Sequence, residues 1–226
     1  MNSAPTSHRL IWDLPTRLFH WLLALLVALQ YATGLLGEDW LIVHGYLGYL
    51  TLTLIVFRVL WGVFGGHWSR FSTFIPSLHQ LIDYVKTPIN PHSDKSPGHN
   101  PLGAVSVLSM LVVLALQVVS GSMSNDDIAF AGPYAAHVSN AVVEWMTWYH
   151  SCVGYYLIIA ITTLHIFAIA FYRFFKDQHL TSAMIHGHKK LETSVEASND
   201  SSSRRLLALG LFVISALSVY LLVVLA

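Results

Sequence analysis

Residues 148 to 176 form a long apolar segment with the sequence WYHSCVGYYLIIAITTLHIFAIAFYRFFK. Apart from His150 and His165, most of its side chains are apolar or aromatic. On an α-helix the spacing between these two residues corresponds to a rise of about 22 Å and a rotation of about four turns plus 60°. The two rings therefore lie near one helix face at opposite depths. They are too far apart to share one metal ion, but they are placed to hold two separate groups.

The composition of the whole chain is that of a membrane protein. Its 226 residues are 54% hydrophobic and 11% charged, far from the balance of a soluble protein. The formal net charge is zero, so there is no basic excess that would indicate binding to nucleic acid. The single cysteine, Cys152, excludes an internal disulfide and the cysteine pair that attaches c-type haem. Any haem is therefore expected to be held non-covalently.

Five apolar runs are long enough to cross the hydrocarbon core of a bilayer. They cover residues 18–36, 41–64, 102–123, about 142–172 and 206–226. The predicted fold class is an all-α integral membrane protein with a four-helix transmembrane core over residues 1–180. The fifth run, residues 206–226, contains no Asp, Glu, His, Lys or Arg and is interpreted as an accessory transmembrane helix.

Two connecting segments have recognisable character. Residues 76–86, PSLHQLIDYVK, place apolar side chains at helical spacing from Leu78 to Val85, which predicts a short amphipathic helix on the membrane surface. Residues 181–205 include LETSVEASNDSSS and have little to bury, so they predict a flexible tether to the last helix.

The basic residues predict the orientation. Eleven of the twelve Lys and Arg precede the first run, or lie between the second and third runs or between the fourth and fifth. By the positive-inside rule these segments are cytoplasmic, so the N-terminus is cytoplasmic and the C-terminus faces the periplasm. The predicted location is the bacterial inner membrane.

Four of the thirteen histidines lie inside predicted spans, namely His20, His44, His150 and His165. An ionisable side chain in the bilayer is costly, so each indicates a function. The predicted topology places His20 and His165 at the inner level, and His44 and His150 at the outer level. Two pairs of histidines at two depths form the arrangement that two stacked b-type haems require.

Other interpretations explain fewer of these residues. A zinc or copper site needs its ligands clustered at one depth. A proton relay needs carboxylates between the histidines, and the span interiors have none. Hydrogen bonding of a lone histidine to a neighbouring helix remains open for any single residue of the four.

Two glycines lie one helical turn after the outer histidines. Gly48 follows His44 by four residues, and Gly154 follows His150 by four. The missing Cβ would let a flat macrocycle approach the helix. Generic packing of small residues between membrane helices is the alternative interpretation.

Three arginines are candidates to neutralise haem propionates. Arg58 lies inside the second span at the inner level, where a buried guanidinium needs an anion. Arg17 and Arg173 lie at the same level, and for them an interpretation as ordinary positive-inside flanks is equally open.

Three segments, IWDLPTRLFHW, HGYLGY and FYRFF, resemble the bacterial di-haem b-type cytochromes. This family groups prokaryotic cytochrome b561 with the b-type cytochrome subunits of nickel-iron hydrogenases and formate dehydrogenases. The resemblance covers about residues 9–180 and implies haem ligands on the first, second and fourth helices. It also implies an electron conduit between a quinone pool and a redox partner, usually on the outer side.

The predicted outer face is acidic. It carries five carboxylates and no Lys or Arg, the carboxylates being those of Glu38, Asp39, Asp126, Asp127 and Glu144. This charge favours docking of a positively charged electron carrier such as a periplasmic c-type cytochrome. An ordinary acidic excess on an outer face is the alternative.

Three other functions remain open. A quinone reductase that oxidises superoxide would need an electropositive route to the outer haem, and the acidic face argues against it. The same sequence fits a membrane-anchor cytochrome subunit of a periplasmic oxidoreductase. Assembly of the chain as a homodimer is also open. A transporter would need a broken helix or a polar midplane site, which the sequence does not clearly show. No catalytic side chain is expected, because haem iron performs the redox step.

Overall fold

The structure is a computed structural model, and it describes residues 7–87, 96–128, 130–191 and 195–226. These ranges are mostly helical. The strands are β1 (Ser7–Leu10) and β2 (His188–Leu191). The helices are α1 (Leu14–Leu35), α2 (Leu41–Phe64), α3 (Phe71–Phe74), α4 (Leu78–Lys86), α5 (Pro101–Ser122), α6 (Asn140–Trp148), α7 (Tyr155–Phe175), α8 (Leu180–His186) and α9 (Ser202–Val224).

Five helical segments in the described ranges are long and apolar enough to cross a membrane. They span Leu14–Leu35, Glu38–Phe64, Pro101–Ser122, Asn140–Phe175 and Ser202–Val224. They coincide with the five apolar runs, which confirms the predicted all-α membrane fold. The fourth is built from α6, a π-helical turn over Tyr149–Gly154 and α7.

A buried aspartate explains why α1 begins at Leu14, before the apolar run. The Asp13 carboxylate is fully buried and accepts a hydrogen bond from the Thr16 backbone N–H at 2.9 Å, which is a helix N-cap. The same carboxylate accepts the Ser69 hydroxyl at 2.9 Å and the Trp61 indole N–H at 3.3 Å. Asp13 therefore ties the start of α1 to residues near the end of α2 and beyond it.

The chain divides into two compact units. The first comprises residues 1–18, 60–108 and 163–208, and the second comprises residues 19–59, 109–162 and 209–226. Eleven of the twelve Lys and Arg belong to the first, which is termed the basic unit. The second contains Arg58 alone and is termed the cavity unit.

In the basic unit, α8 and β2 are folded against the N-terminal segment, within residues 181–205 where a flexible tether was expected. Strands β1 and β2 pair antiparallel, with Ser7 opposite Leu191. Ala183 of α8 and Leu191 of β2 pack in a buried apolar cluster with Ile11 and Trp12. The expectation of a tether was wrong over α8 and β2, because these residues bury apolar side chains against the N-terminal segment.

The expected helix within residues 76–86 is present as α4, Leu78–Lys86. The Ser77 hydroxyl accepts the Gln80 backbone N–H at 3.2 Å, and the Gln80 side-chain oxygen accepts the Ser77 N–H at 2.8 Å. This capping box fixes the first turn of α4. Location of α4 on the membrane surface stays a prediction.

The cavity unit has its own apolar core. Ile55 of α2, Leu114 of α5 and Ile158 of α7 are buried together. The hydroxyl of Tyr31 on α1 donates to the Tyr155 carbonyl at 2.8 Å. These contacts bring α1, α2, α5 and α7 together.

Candidate functional site

Two of the four intramembrane histidines face each other in the cavity unit. His44 lies in the first turn of α2, and His150 lies in the π-helical turn Tyr149–Gly154. Their ring centroids are 5.9 Å apart, and the ring planes are at 86°. Single π-helical turns occur frequently at functional sites. The outer pair expected from the sequence is thus brought together.

Both rings form their hydrogen bonds to backbone carbonyls through the same nitrogen, Nδ1. His44 Nδ1 lies 3.1 Å from the Gln30 carbonyl oxygen, and His150 Nδ1 lies 2.9 Å from the Gln117 carbonyl oxygen. A carbonyl can only accept, so each Nδ1 carries the hydrogen and donates it. In the neutral rings the lone pair is then on Nε2, which is the form that binds a metal.

Hydroxyl groups flank both nitrogens. The Thr33 hydroxyl lies 3.2 Å from His44 Nδ1, and the Ser120 hydroxyl lies 3.5 Å from His150 Nδ1. Thr33 and Ser120 are themselves buried and donate to carbonyls of their own helices. The two rings are therefore oriented by helices that do not contain the histidines, since α1 holds His44 and α5 holds His150.

The separation of the rings fits two ligands of one metal ion. Imidazoles bonded to opposite sides of a metal, each at about 2 Å from it, have centroids about 6 Å apart. The observed 5.9 Å agrees with this value. The donor set, two neutral imidazoles with Nε2 available, is that of a b-type haem.

A cavity of about 800 Å³ surrounds the pair. This volume lies within the range of small-molecule and cofactor sites. Its wall is mostly apolar and comes from α1, α2, α5, α7, α9 and the loop after α5. The residues that line it include Gly48, Phe130, Tyr134, Leu222 and Val223.

The two glycines singled out in the sequence have different surroundings. Gly48 lines the cavity, as expected for a residue that lets a macrocycle approach. Gly154 is buried against the side chain of Gln117, which occupies the space a Cβ would need. The role of both glycines in haem binding stays a prediction.

Sequence analysis missed two other glycines that touch the rings. A Cβ on Gly121 of α5 would lie 2.7 Å from Cε1 of His150, closer than real contacts allow. A Cβ on Gly34 of α1 would lie 3.5 Å from Cε1 of His44, an ordinary contact. Neither stands one turn from a histidine in sequence, so no spacing pointed to them.

Sequence analysis also missed Gln30 and Gln117. Both line the cavity, and the Gln117 side-chain amide donates to the His150 carbonyl at 2.9 Å. Their signal was present in the sequence, because a polar amide inside an apolar span is costly and usually has a purpose.

The other two histidines are half-buried and belong to different units. His20 lies on α1 in the cavity unit, with its ring centroid 4.9 Å from that of Trp21. His165 lies on α7 in the basic unit. Their pairing stays a prediction from the depths of the two residues in the predicted spans.

The three candidate arginines differ in environment. Arg58 is only 3% exposed, and its Cζ lies 6.0 Å from the ring centroid of Phe19, the residue before His20. Arg17 donates to the Ile185 carbonyl at 2.7 Å. Arg173 is half-exposed and lies 3.5 Å from Asp177. Arg58 is therefore the strongest candidate of the three to compensate a buried anion.

Comparison with known proteins shows the family of the chain. A family model described as prokaryotic cytochrome b561 matches residues 11–187, which include all four histidines. The chain belongs to the prokaryotic cytochrome b561 family. Helix α9 lies outside the matched range of this cytochrome b561 family member.

Two curated relatives are similar to this cytochrome b561 family member. They are the probable Ni/Fe-hydrogenase 1 B-type cytochrome subunits of Escherichia coli K12 and Escherichia coli O157:H7. Each is 22% identical over 217 residues, covering 79% of this chain and 89% of the relative. No solved structure matches at a significant level.

The family and the five spans together establish the general activity. This cytochrome b561 family member is a multi-pass membrane protein of electron transfer, and haem b is the cofactor of its family.

Proposed function

We propose that the chain carries electrons across the bacterial inner membrane between the quinone pool and a redox protein at the periplasmic face, with two b-type haems. His44 and His150 would hold the outer haem, and His20 and His165 the inner one. A bound b-type haem supplies an iron that takes up and releases one electron. The chain's own residues bind, orient and electrostatically tune these groups.

One observation carries the proposal. The His44 and His150 rings are 5.9 Å apart, and each fixes its Nδ1 hydrogen on a backbone carbonyl of a neighbouring helix. Such bonds hold the ring orientation and make the other nitrogen a better ligand. The lone pairs of both Nε2 atoms would then be available to one haem iron.

The inner haem is proposed on the basis of depth and charge. His20 and His165 lie at one level in the predicted topology, and buried Arg58 lies beside Phe19, next to His20. A guanidinium there would stabilise propionate charge. It would also favour the reduced iron, since reduction adds an electron.

Charge on the cavity unit supports a cationic partner. Glu38, Asp39, Asp126, Asp127 and Glu144 are all exposed, and all belong to this unit. Its single basic residue, Arg58, is buried. A positively charged carrier such as a c-type cytochrome would be attracted to this surface.

A cavity in the basic unit supports the quinone end of the proposal. It has a volume of about 450 Å³ and apolar walls that include Ile166 and Phe174. Arg173 and His179 line the same cavity and provide hydrogen-bond donors. Apolar walls suit an isoprenoid tail, and donors suit the carbonyl oxygens of a quinone headgroup.

A second candidate function is a membrane-anchor cytochrome subunit of a periplasmic oxidoreductase. The similarity to the probable hydrogenase cytochrome subunits favours it. In that case the same acidic surface would contact a permanently associated enzyme instead of a mobile carrier. Purification under mild conditions distinguishes the two, because a permanent partner stays bound in stoichiometric amount.

The direct test is quinol-driven electron transfer in proteoliposomes. Quinol is placed in the lipid, and a basic, water-soluble cytochrome c is added to the solution. We expect reduction of the cytochrome c, at a rate that falls as ionic strength rises. Asp127→Asn with Glu144→Gln should weaken this salt dependence, whereas Asp83→Asn in the basic unit should not. Absence of haem reduction by quinol would refute the quinone half of the proposal, and a rate independent of salt would refute the cationic partner.

A further inference from the structure

Helix α9 contributes to the wall of the cavity around His44 and His150. Leu211, Ser215 and Val219 are buried at spacings of four residues, so they lie on one helix face. Leu222 and Val223 continue this face and line the cavity. The packed side of α9 thus ends at the cavity that contains the histidine pair, although α9 lies outside the family match.

Residues 130–134 of the segment between α5 and α6, termed the loop, form another part of the cavity wall. It is held in shape by backbone bonds from Gly132 N–H to the Ser124 carbonyl at 2.8 Å and from Tyr134 N–H to the Ser122 carbonyl at 2.9 Å. Phe130, Pro133 and Tyr134 of this loop line the cavity. These side chains therefore form part of the cavity wall.

Two contacts anchor this loop. Phe130 lies against Gly45, where an added Cβ would come within 2.9 Å of the Phe130 ring. The Tyr134 hydroxyl donates to the Leu222 carbonyl at 2.8 Å. Leu222 is among the last four residues of α9, whose carbonyls lack the usual partner within the helix. The Tyr134 bond therefore joins the loop to the end of α9.

We propose that α9 is a functional wall of the outer haem site, and that the bond from Tyr134 to Leu222 holds the loop closed over it. This inference rests on the proposed haem between His44 and His150. Tyr134 is a positioning residue, since it acts through the loop. The closed loop keeps water and small solutes away from the outer haem site.

The expected consequences follow from solvent access. Water entering the site would favour the oxidised haem, which carries one more positive charge, so an opened loop should lower the midpoint potential. Loss of one hydrogen bond should increase the open population about fivefold. Reduction of the outer haem by a small water-soluble reductant should then become faster by a similar factor.

The test compares Tyr134→Phe with Tyr220→Phe in the full-length protein. Tyr220 lies on α9 and is exposed, so its substitution controls for loss of a phenol hydroxyl. Haem content, the rate of reduction by ascorbate and a potentiometric titration are measured for both. We expect unchanged haem content in both variants, with about fivefold faster reduction and a lower outer potential only in Tyr134→Phe.

A second variant, Val223→Asn, introduces a polar amide at the α9 wall and should lower the same potential without removing the Tyr134 bond. The inference is overturned if Tyr134→Phe and Val223→Asn both match the wild type in rate and potential. Failure of the underlying haem assignment has a different signature, namely that His44→Ala and His150→Ala leave the haem content unchanged.

Discussion

His44 and His150 present the same nitrogen to the same type of partner, each Nδ1 donating to a helix carbonyl, at 3.1 Å and 2.9 Å. The carbonyls belong to Gln30 of α1 and Gln117 of α5. Four helical segments therefore cooperate to orient one pair of rings.

Gly121→Ala should weaken the outer haem. The added methyl would lie 2.7 Å from Cε1 of His150 and displace the ring from its position. Overpacking of this kind costs about 1–3 kcal/mol, or roughly a tenfold loss of haem affinity. Haem-to-protein ratio after purification, together with the reduced absorbance spectrum, measures the effect.

Gly34→Ala is the matched control for Gly121→Ala. It adds the same methyl group beside His44, but at an ordinary contact distance of 3.5 Å. We expect haem content close to that of the wild type. Equal haem loss in the two variants would contradict the packing argument.

Each histidine pair should control its own haem. We expect His44→Ala and His150→Ala to remove the outer haem, and His20→Ala and His165→Ala to remove the inner one, because each variant would lack one of the two proposed ligands. His79→Ala, at an exposed side chain, is the control. Identical residual spectra from the His20 and His44 variants would show that the pairing is wrong.

Arg58→Leu should lower the potential of the inner haem. Removing a buried cation near His20 destabilises the reduced iron, by an amount on the order of 50 mV. The exposed Lys86 serves as the control, since Lys86→Leu removes a charge that solvent screens. Potentiometric titration resolves the two haems. An equal shift of both haems would mean that Arg58 acts elsewhere, for example on a quinone.

Asp13→Ala should destabilise the basic unit. It would leave the buried donors of Thr16, Ser69 and Trp61 without their carboxylate, a loss of about 3 kcal/mol. Thermal unfolding in detergent should show a clear decrease in Tm. Asp83→Ala removes a largely exposed carboxylate and should change Tm little, so similar decreases in both would contradict the role of Asp13.

The sequence predicted the membrane architecture because span length and apolar content are local properties. It predicted the second helix, Leu41–Phe64, to the residue. It also predicted that His44 and His150 lie at one depth, and the structure brings their rings within 5.9 Å. Their role as haem ligands stays a prediction. The family resemblance on residues of α1, α2 and α7 was confirmed by the family match.

Tertiary features were less accessible to sequence analysis. The pairing of β1 with β2 places Leu10 opposite His188. These residues are far apart in the chain, and no local pattern in either strand predicts the pairing. The π-helical turn at His150 depends on packing around it, and apolar periodicity does not reveal it. Gly121 contacts His150 from another helix, so spacing along one helix could not identify it.

The most direct test of the central claim is the haem content of the purified chain, measured as its pyridine haemochrome against protein concentration. The account predicts two b-type haems per chain, with the His44→Ala variant retaining one. One haem in the wild type, or two in His44→Ala, would contradict it.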